Sequence, residues 1–194
     1  MKEDRERALI ELFRALDGIY GPNYECKYYP CHFYGQDCTF CYCPFYPCLI
    51  YDLGGDLVLT EDGYIWSCKN CTYVHERNIA EEIVYRLGGY SRQRLAEEDW
   101  FFYNKILQEM IYGEEKGVWI DNSYNLMPAI LRGKECEFVS DVEFLAITID
   151  DFEIVDVRKI RDLSDAYGEI IIPLKIGGEL YGIDLEGRRV VCKI

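Results

Sequence analysis

Cysteine placement constrains this chain more than any other feature of its sequence. Eight of its ten cysteines lie between Cys26 and Cys71, and only Cys136 and Cys192 lie outside that segment. Two cysteines separated by two residues can direct both thiolates at one ion from a tight turn. The clustered cysteines therefore indicate a metal-binding segment. Their order is Cys26-x4-Cys31, Cys38-x2-Cys41-x-Cys43-x4-Cys48 and Cys68-x2-Cys71.

A disulfide framework is the alternative use of so many cysteines. It needs an oxidising compartment, and the highly charged N-terminus does not lead into a signal-peptide core. We therefore expect a cytoplasmic protein without a membrane span. Because the cytosol of hyperthermophiles tolerates disulfides, that alternative stays open.

Eight thiolates suffice for two tetrahedral sites, although the spacing alone does not fix which cysteines share an ion. Cys41 and Cys43 face opposite ways in an extended segment, so they could serve different ions. His32 and His75 are candidate replacement ligands, or else structural polar groups. We expect site one to contain Cys38, Cys41, Cys68 and Cys71, and site two to contain Cys26, Cys31, Cys43 and Cys48.

Zinc is the metal that the spacing favours, with two ions per chain. An iron–sulfur cluster is the alternative, since thiolates bind both and the run from Cys38 to Cys43 is compact enough for three corners of a cubane. A zinc ion saturated with thiolates has no open position for a catalytic water. We therefore expect structural sites and no catalytic residues.

The motifs around these cysteines resemble the cysteine-rich small domain family. The resemblance rests on Glu25–His32, Cys38–Tyr46, Cys68–Cys71 and His75, and covers about residues 24–80. Members are described as metal-binding proteins without a settled activity. They are often encountered near cobalamin-synthesis genes in anaerobes and archaea, so the resemblance implies a link to cobamide metabolism. Two departures from the family pattern concern Gly54-Gly55, which come later after Cys48 than usual, and Val74, which replaces a proline.

The rest of the chain predicts an α+β protein. We expect an amphipathic helix within residues 1–23, a cysteine-rich zinc-knuckle module at 24–90, a connecting helix at 91–116 and a mostly β domain at 117–194. In the first half, helices are predicted at 2–17, at 76–87 and from Ser91 to Ile111, with a hairpin turned at 61–63.

In the second half, alternating β-branched residues predict strands. The last three should form a meander turned at 177–178 and 186–187, with Pro173 on an edge or bulged strand. Cys192 is interpreted as a buried strand residue and Cys136 as a loop thiol. The predicted strands are 117–121, 127–131, 143–149, 153–158, 168–175, 179–184 and 188–194.

The net charge of the chain limits the classes of molecule that it is expected to bind. The formal net charge of -14 disfavours a nucleic-acid partner, because phosphates would be repelled. Our preferred function is a zinc-binding accessory or interaction module, with an unidentified protein or small molecule as partner, rather than an enzyme. The alternatives are an iron–sulfur or open-metal enzyme or redox protein in cobamide-related metabolism, and a metal-delivery protein.

Overall fold

The computed structural model describes residues 2–112, 125–126, 143–162, 165–173, 181–184 and 189–193. Helices and strands occur in both halves of this part of the chain, so the predicted α+β class is confirmed. The helices are α1 (Lys2–Ala15), α2 (Arg77–Leu87), α3 (Arg92–Glu97) and α4 (Trp100–Tyr112). The strands are β1 (Asp56–Thr60), β2 (Gly63–Ser67), β3 (Asn125–Leu126), β4 (Phe144–Asp150), β5 (Glu153–Ile160), β6 (Ile170–Pro173), β7 (Tyr181–Asp184) and β8 (Arg189–Lys193).

Local patterns account for the elements around the cysteines. In α1, Ala8, Leu12 and Ala15 are buried and share one face of the helix, as the amphipathic pattern predicts. The β1–β2 hairpin is antiparallel and pairs Thr60 with Gly63 at its turn, as predicted. Between α1 and β1 the chain has little regular structure, apart from one turn of 3-10 helix at Tyr51–Leu53. Most of the cysteines therefore lie on loops.

The single helix predicted from Ser91 to Ile111 is wrong, because the structure shows two helices there. Ser91 caps α3, as predicted, and its side chain accepts a hydrogen bond from the Arg94 amide. The chain is extended at Glu98, and the Asp99 carboxylate then accepts the Phe102 amide at 3.0 Å. A second capping residue inside the apolar pattern thus begins α4.

The C-terminal half contains a four-stranded sheet in the order β3-β6-β4-β5. β4 and β5 form a hairpin whose turn places Asp151 and Phe152 at positive φ, 44° and 65°. β7 and β8 pair antiparallel with each other in a separate sheet. The strands predicted near β4–β8 are confirmed, whereas those at 117–121 and 127–131, both meander turns and Cys136 lie outside the described residues.

One detail of the predicted sheet is wrong, because β6 lies inside its sheet, between β3 and β4, rather than at an edge. Among the described residues Pro173 is the last residue of β6 and pairs with Phe144 of β4, so its missing N–H does not interrupt the ladder to β3. The meander stays a prediction, since both of its turns lie outside the described residues.

Buried side chains from both halves form one hydrophobic cluster. It joins α1, the cysteine-bearing loops, α2 and α4 to the sheet, to which β4, β6 and the β4–β5 turn contribute. Phe152 links the two halves directly, since its ring lies 5.8 Å from the Tyr103 ring and 3.8 Å from the Arg5 guanidinium carbon. Within the described ranges, none of the helices is long and apolar enough to cross a bilayer.

Replacing Phe152 by alanine should destabilise the whole protein rather than the sheet alone. The ring is 8% exposed and contacts both halves of the core. We expect Phe152→Ala to lower the free energy of unfolding by about 3 kcal/mol in urea denaturation. Tyr167→Ala, at a position 87% exposed near the same sheet, is the control and should change it by less than about 0.5 kcal/mol. Equal effects of the two substitutions would contradict the shared core.

Candidate metal centre

Electrostatic interactions divide the eight cysteines of the module into two groups. All eight are free thiols. The pKa of Cys41 is raised to about 11, mainly by burial and also by the charges of Glu11 and of three other thiols. We call Cys41 and these three neighbouring thiols the outer cluster: Cys26, Cys31, Cys38 and Cys41. Every pair among the remaining four interacts, and these form the inner cluster: Cys43, Cys48, Cys68 and Cys71.

This electrostatic grouping is not the pairing that we expected, and that pairing stays a prediction. The charges that raise the pKa of Cys41 belong to Cys38, Cys31 and Cys26 besides Glu11, and those that raise the pKa of Cys43 belong to Cys48, Cys68 and Cys71. Each cluster thus combines one pair spaced by four residues with one pair spaced by two. Within the described ranges, no three Cys, His, Asp or Glu side chains stand in the arrangement that holds a metal ion. Metal ligation therefore stays a prediction.

Inner-cluster sulfurs accept hydrogen bonds from backbone amides two residues further along the chain. Phe45 donates to Cys43, Ile50 to Cys48 and Tyr73 to Cys71, and each bond lowers the pKa of the thiol that accepts it. Burial has the larger effect, and it raises the pKa of Cys43 and Cys48 well above the usual range and that of Cys68 to about 12. The backbone N–H groups thus stabilise the thiolate forms of these cysteines, whereas burial destabilises them.

An indole N–H also faces the inner cluster. Trp66 is 1% exposed, and among the described residues its Nε1 has no well-formed hydrogen bond. The indole lies near the Cys48 thiol and lowers its pKa. Gly55 makes this placement possible, since a Cβ there would lie 2.4 Å from the Trp66 Nε1.

Three buried or half-buried donors hold the loop that carries Cys43 and Cys48. They come from α1 and α4, so both helices fix the position of these two sulfurs. Leu49, 1% exposed, adopts φ 57° and turns the chain directly after Cys48. The three bonds join Arg5 Nη1 to Pro44 O (3.3 Å), Trp100 Nε1 to Pro47 O (2.7 Å) and Asn104 Nδ2 to Cys48 O (3.1 Å).

The outer cluster is more exposed to solvent than the inner cluster, and its thiols make different hydrogen bonds. Cys31 and Cys41 are exposed, and Cys26 and Cys38 are half-buried. The Cys31 thiol donates to the Tyr28 carbonyl at 3.1 Å, and the Cys41 thiol donates to the Cys38 carbonyl at 3.7 Å. The Cys31 and Cys41 thiols therefore act as donors, whereas the Cys38 sulfur also accepts the Gln36 side-chain amide at 4.0 Å.

Glu11 of α1 borders the outer cluster. Its carboxylate accepts the Tyr42 amide at 2.7 Å and also the Cys41 amide. Burial raises the pKa of Glu11, and these two bonds oppose that shift. α1 thereby fixes the short segment that separates the outer from the inner cluster.

Both histidines lie together beside the clusters. The His32 and His75 rings stack with centroids 4.6 Å apart. His75 Nδ1 lies 3.0 Å from the Asp37 carbonyl oxygen, so Nδ1 carries the proton and Nε2 keeps its lone pair. Burial is the main cause that lowers the pKa of His75. The buried Asp37 carboxylate is paired with Arg77 at 3.2 Å, which fixes this segment.

A pocket of about 440 Å³ connects these features. Its wall contains all four inner thiols, Cys41, both histidines, Arg5 and Phe152. Sequence reasoning singled out the thiols and the histidines. It missed Glu11, Trp66 and Asn104, because each acts through a contact distant in sequence. Gly54-Gly55, noted in the family pattern, was the sequence feature that pointed towards the close packing here.

Comparison with protein families identifies the module. The family model of the cysteine-rich small domain matches residues 18–94. Residues 18–94 are a cysteine-rich small domain. The predicted resemblance is thus confirmed, and the domain includes both cysteine clusters, both histidines and all of α2.

Two archaeal proteins share this segment. A probable cobalt-factor III C(17)-methyltransferase of Methanothermobacter thermautotrophicus is 47% identical over 68 residues, which are 35% of this chain and 19% of that protein. An uncharacterised protein of Methanocaldococcus jannaschii is 49% identical over 80 residues, which are 41% of this chain and 66% of that protein. The chain thus matches less than two thirds of either relative. No solved structure matches it.

Gly54 should tolerate no side chain, because the inner cluster lies against it. Its φ is +88°, and a Cβ would lie 2.5 Å from the Asn70 carbonyl oxygen, beside Cys71. Gly35 has the same φ with nothing within 4 Å, so Gly35→Ala is a control for backbone strain alone. We expect Gly35→Ala to cost about 1–2 kcal/mol of unfolding free energy, and Gly54→Ala to cost about 1–3 kcal/mol more. Thermal unfolding checks this, and equal costs would contradict the close approach.

Proposed function

We propose that this cysteine-rich small domain binds two zinc ions, one in each cluster, and serves as an accessory or interaction module. The observation that carries the proposal is the inner cluster, where four thiols interact electrostatically and three of them accept a backbone N–H. A metal-bound thiolate keeps its negative charge, and N–H groups aimed at sulfur stabilise that charge.

The donor set suits a metal ion on chemical grounds. Burial and mutual repulsion disfavour four thiolates in one place, and a divalent cation offsets both costs. The indole N–H of Trp66 satisfies the same requirement, since a thiolate at Cys48 gives it a strong acceptor. Closure of either site requires its cysteine side chains to turn towards the ion.

Zinc fits the arrangement of each cluster. Sites built from four cysteines, in pairs separated by two to four residues, are typical of structural zinc. Four thiolates leave no position for a water or a substrate, so the ion stabilises the fold and does not catalyse. Its binding free energy becomes folding free energy for loops that contain little regular structure.

Metal content tests the proposal directly. We expect the anaerobically purified full chain to contain two zinc ions by elemental analysis, without a visible charge-transfer band. Cys71→Ser should lose one equivalent, because it removes one of four inner ligands, and Cys192→Ala should keep both. Iron with a broad visible band would instead support the iron–sulfur alternative. Full metal retention in Cys71→Ser would contradict the assignment of the inner site.

The second part of the proposal concerns the partner. A chain named as a probable cobalt-factor III methyltransferase contains a related segment, and it supports a partner of that enzyme class in cobamide-related metabolism. The related segment makes up 19% of that protein, and we propose that the segment in this chain acts together with an enzyme of the same class.

Co-elution in size-exclusion chromatography checks the partner. We expect the zinc-loaded chain to form a complex with a cobalt-factor methyltransferase that has no cysteine-rich segment of its own. It should not bind a methyltransferase of similar size that acts on another substrate class. Separate elution from both enzymes, at concentrations of about 10 µM, would contradict an interaction of ordinary transient strength.

A further inference from the structure

The pocket beside the inner cluster has a mostly apolar wall that contains one half-buried arginine, Arg5. We propose that this pocket binds a small organic carboxylate with a flat, apolar body, and that Arg5 pairs with the carboxylate. The inference goes beyond the proposed function, because it uses the arginine and the apolar wall. It requires no metal ion and no particular grouping of the cysteines.

The size and the wall of the pocket suit a small molecule. Its volume of about 440 Å³ lies within the range of ~300–1,000 Å³ that is typical of small-molecule sites, which are also mostly apolar. The wall combines side chains from α1, the cysteine-bearing loops, α4 and the β4–β5 turn, so a ligand would contact both halves of the core. Its apolar members include Ala8, Phe45, Leu53, Val74, Leu107 and Phe152.

Arg5 brings a positive charge into this apolar wall. Its guanidinium carbon lies 4.2 Å from the centroid of the Tyr103 ring and 3.8 Å from that of the Phe152 ring, so aromatic rings replace water around the charge. Nη1 donates to the Pro44 carbonyl at 3.3 Å. Nη2 is buried and has no well-formed hydrogen bond among the described residues. The guanidinium is therefore desolvated without full compensation by the protein.

The guanidinium also has no carboxylate at contact distance. Among the described residues, none of the ion pairs within 4.0 Å includes Arg5. Burial lowers the pKa of Arg5, and Tyr103 and the more distant Asp151 oppose that shift. A buried guanidinium usually pairs with a planar anion through two parallel N–H groups. A ligand carboxylate would supply that partner.

The charge of the pocket wall is opposite in sign to the charge of the chain. Of the wall side chains that are charged at pH 7, Arg5 and Lys69 are positive and Asp4 is negative. The formal net charge of the chain is -14. Lys69 is exposed, so its charge faces solvent and attracts anions towards the pocket. An anion that most of this acidic surface repels is therefore favoured here.

A carboxylate fits this wall better than a phosphate does. A phosphate carries up to two negative charges and needs several donors to replace its water. The enclosed part of the wall offers one guanidinium among apolar and aromatic side chains. Those side chains favour a ligand whose remaining atoms form a flat, apolar body, because such a body packs against aromatic rings.

Calorimetry on the full chain tests the site. The probe is 2-naphthoate, which has a flat apolar body and one carboxylate. Its control is 2-naphthamide, which has nearly the same shape without the charge. We expect the wild-type protein to bind 2-naphthoate at least about tenfold more tightly than 2-naphthamide. Equal affinities, or no binding of either compound at about 1 mM, would overturn the proposal.

Variants locate the binding at Arg5. Arg5→Gln keeps an N–H donor near the Pro44 carbonyl but removes the charge, so it should bind both compounds equally. Arg14→Gln changes an exposed residue of the same helix that does not line the pocket, and it should keep the preference for 2-naphthoate. An Arg5→Gln protein that keeps the full preference would overturn the proposal. If Arg5→Gln does not fold, the two compounds on the wild-type protein still decide.

Zinc analysis of the same wild-type samples separates this inference from the proposed function. A protein with fewer than two zinc ions that still prefers 2-naphthoate would support the carboxylate site and contradict only the proposed function. A protein with two zinc ions that binds both compounds equally would contradict only the carboxylate site.

Discussion

Three backbone carbonyls in one loop are the constraint on which the rest of this structure depends. Pro44, Pro47 and Cys48 accept hydrogen bonds from side chains of α1 and α4. This loop is not part of a β-sheet, so without these donors its buried carbonyl oxygens would have no hydrogen-bond partner. Each such oxygen would cost about 1–3 kcal/mol. Because the donors belong to helices that also contact the sheet, the loop that holds two inner sulfurs is fixed by the core of the whole protein.

Desolvation explains why the inner cluster is surrounded by N–H groups. Four thiols close together in a buried place are stable when neutral, since burial raises the pKa of each. They can become thiolates only if positive charge or hydrogen bonds replace the lost water. The backbone amides and Trp66 supply the hydrogen bonds, and an ion would supply the charge. The N–H groups thus lower the free-energy cost of a negative charge in this buried cluster.

The sequence predicted those features that depend on neighbouring residues. The face of α1, the β1–β2 hairpin and the Ser91 cap follow from local periodicity and turn chemistry. The break before α4 depends on one capping carboxylate, Asp99, inside an apolar pattern that continues through it. β6 lies between β3 and β4 rather than at an edge, and alternation together with Pro173 does not show which strands flank it. Likewise, spacing showed that the cysteines form pairs, but the grouping of the pairs depends on how the loops pack.

Helices beyond the matched family segment take part in the same site. The cysteine-rich small domain spans residues 18–94, yet Arg5 and Glu11 precede it and Trp100 and Asn104 follow it. Phe152, from the sheet, covers the Arg5 guanidinium and reaches the wall of the pocket that the inner thiols line. The domain in this chain is therefore held by contacts that its family pattern does not contain. Through Arg5, which binds the Pro44 carbonyl and lies against Phe152, the loop of the inner cysteines is connected directly to the sheet.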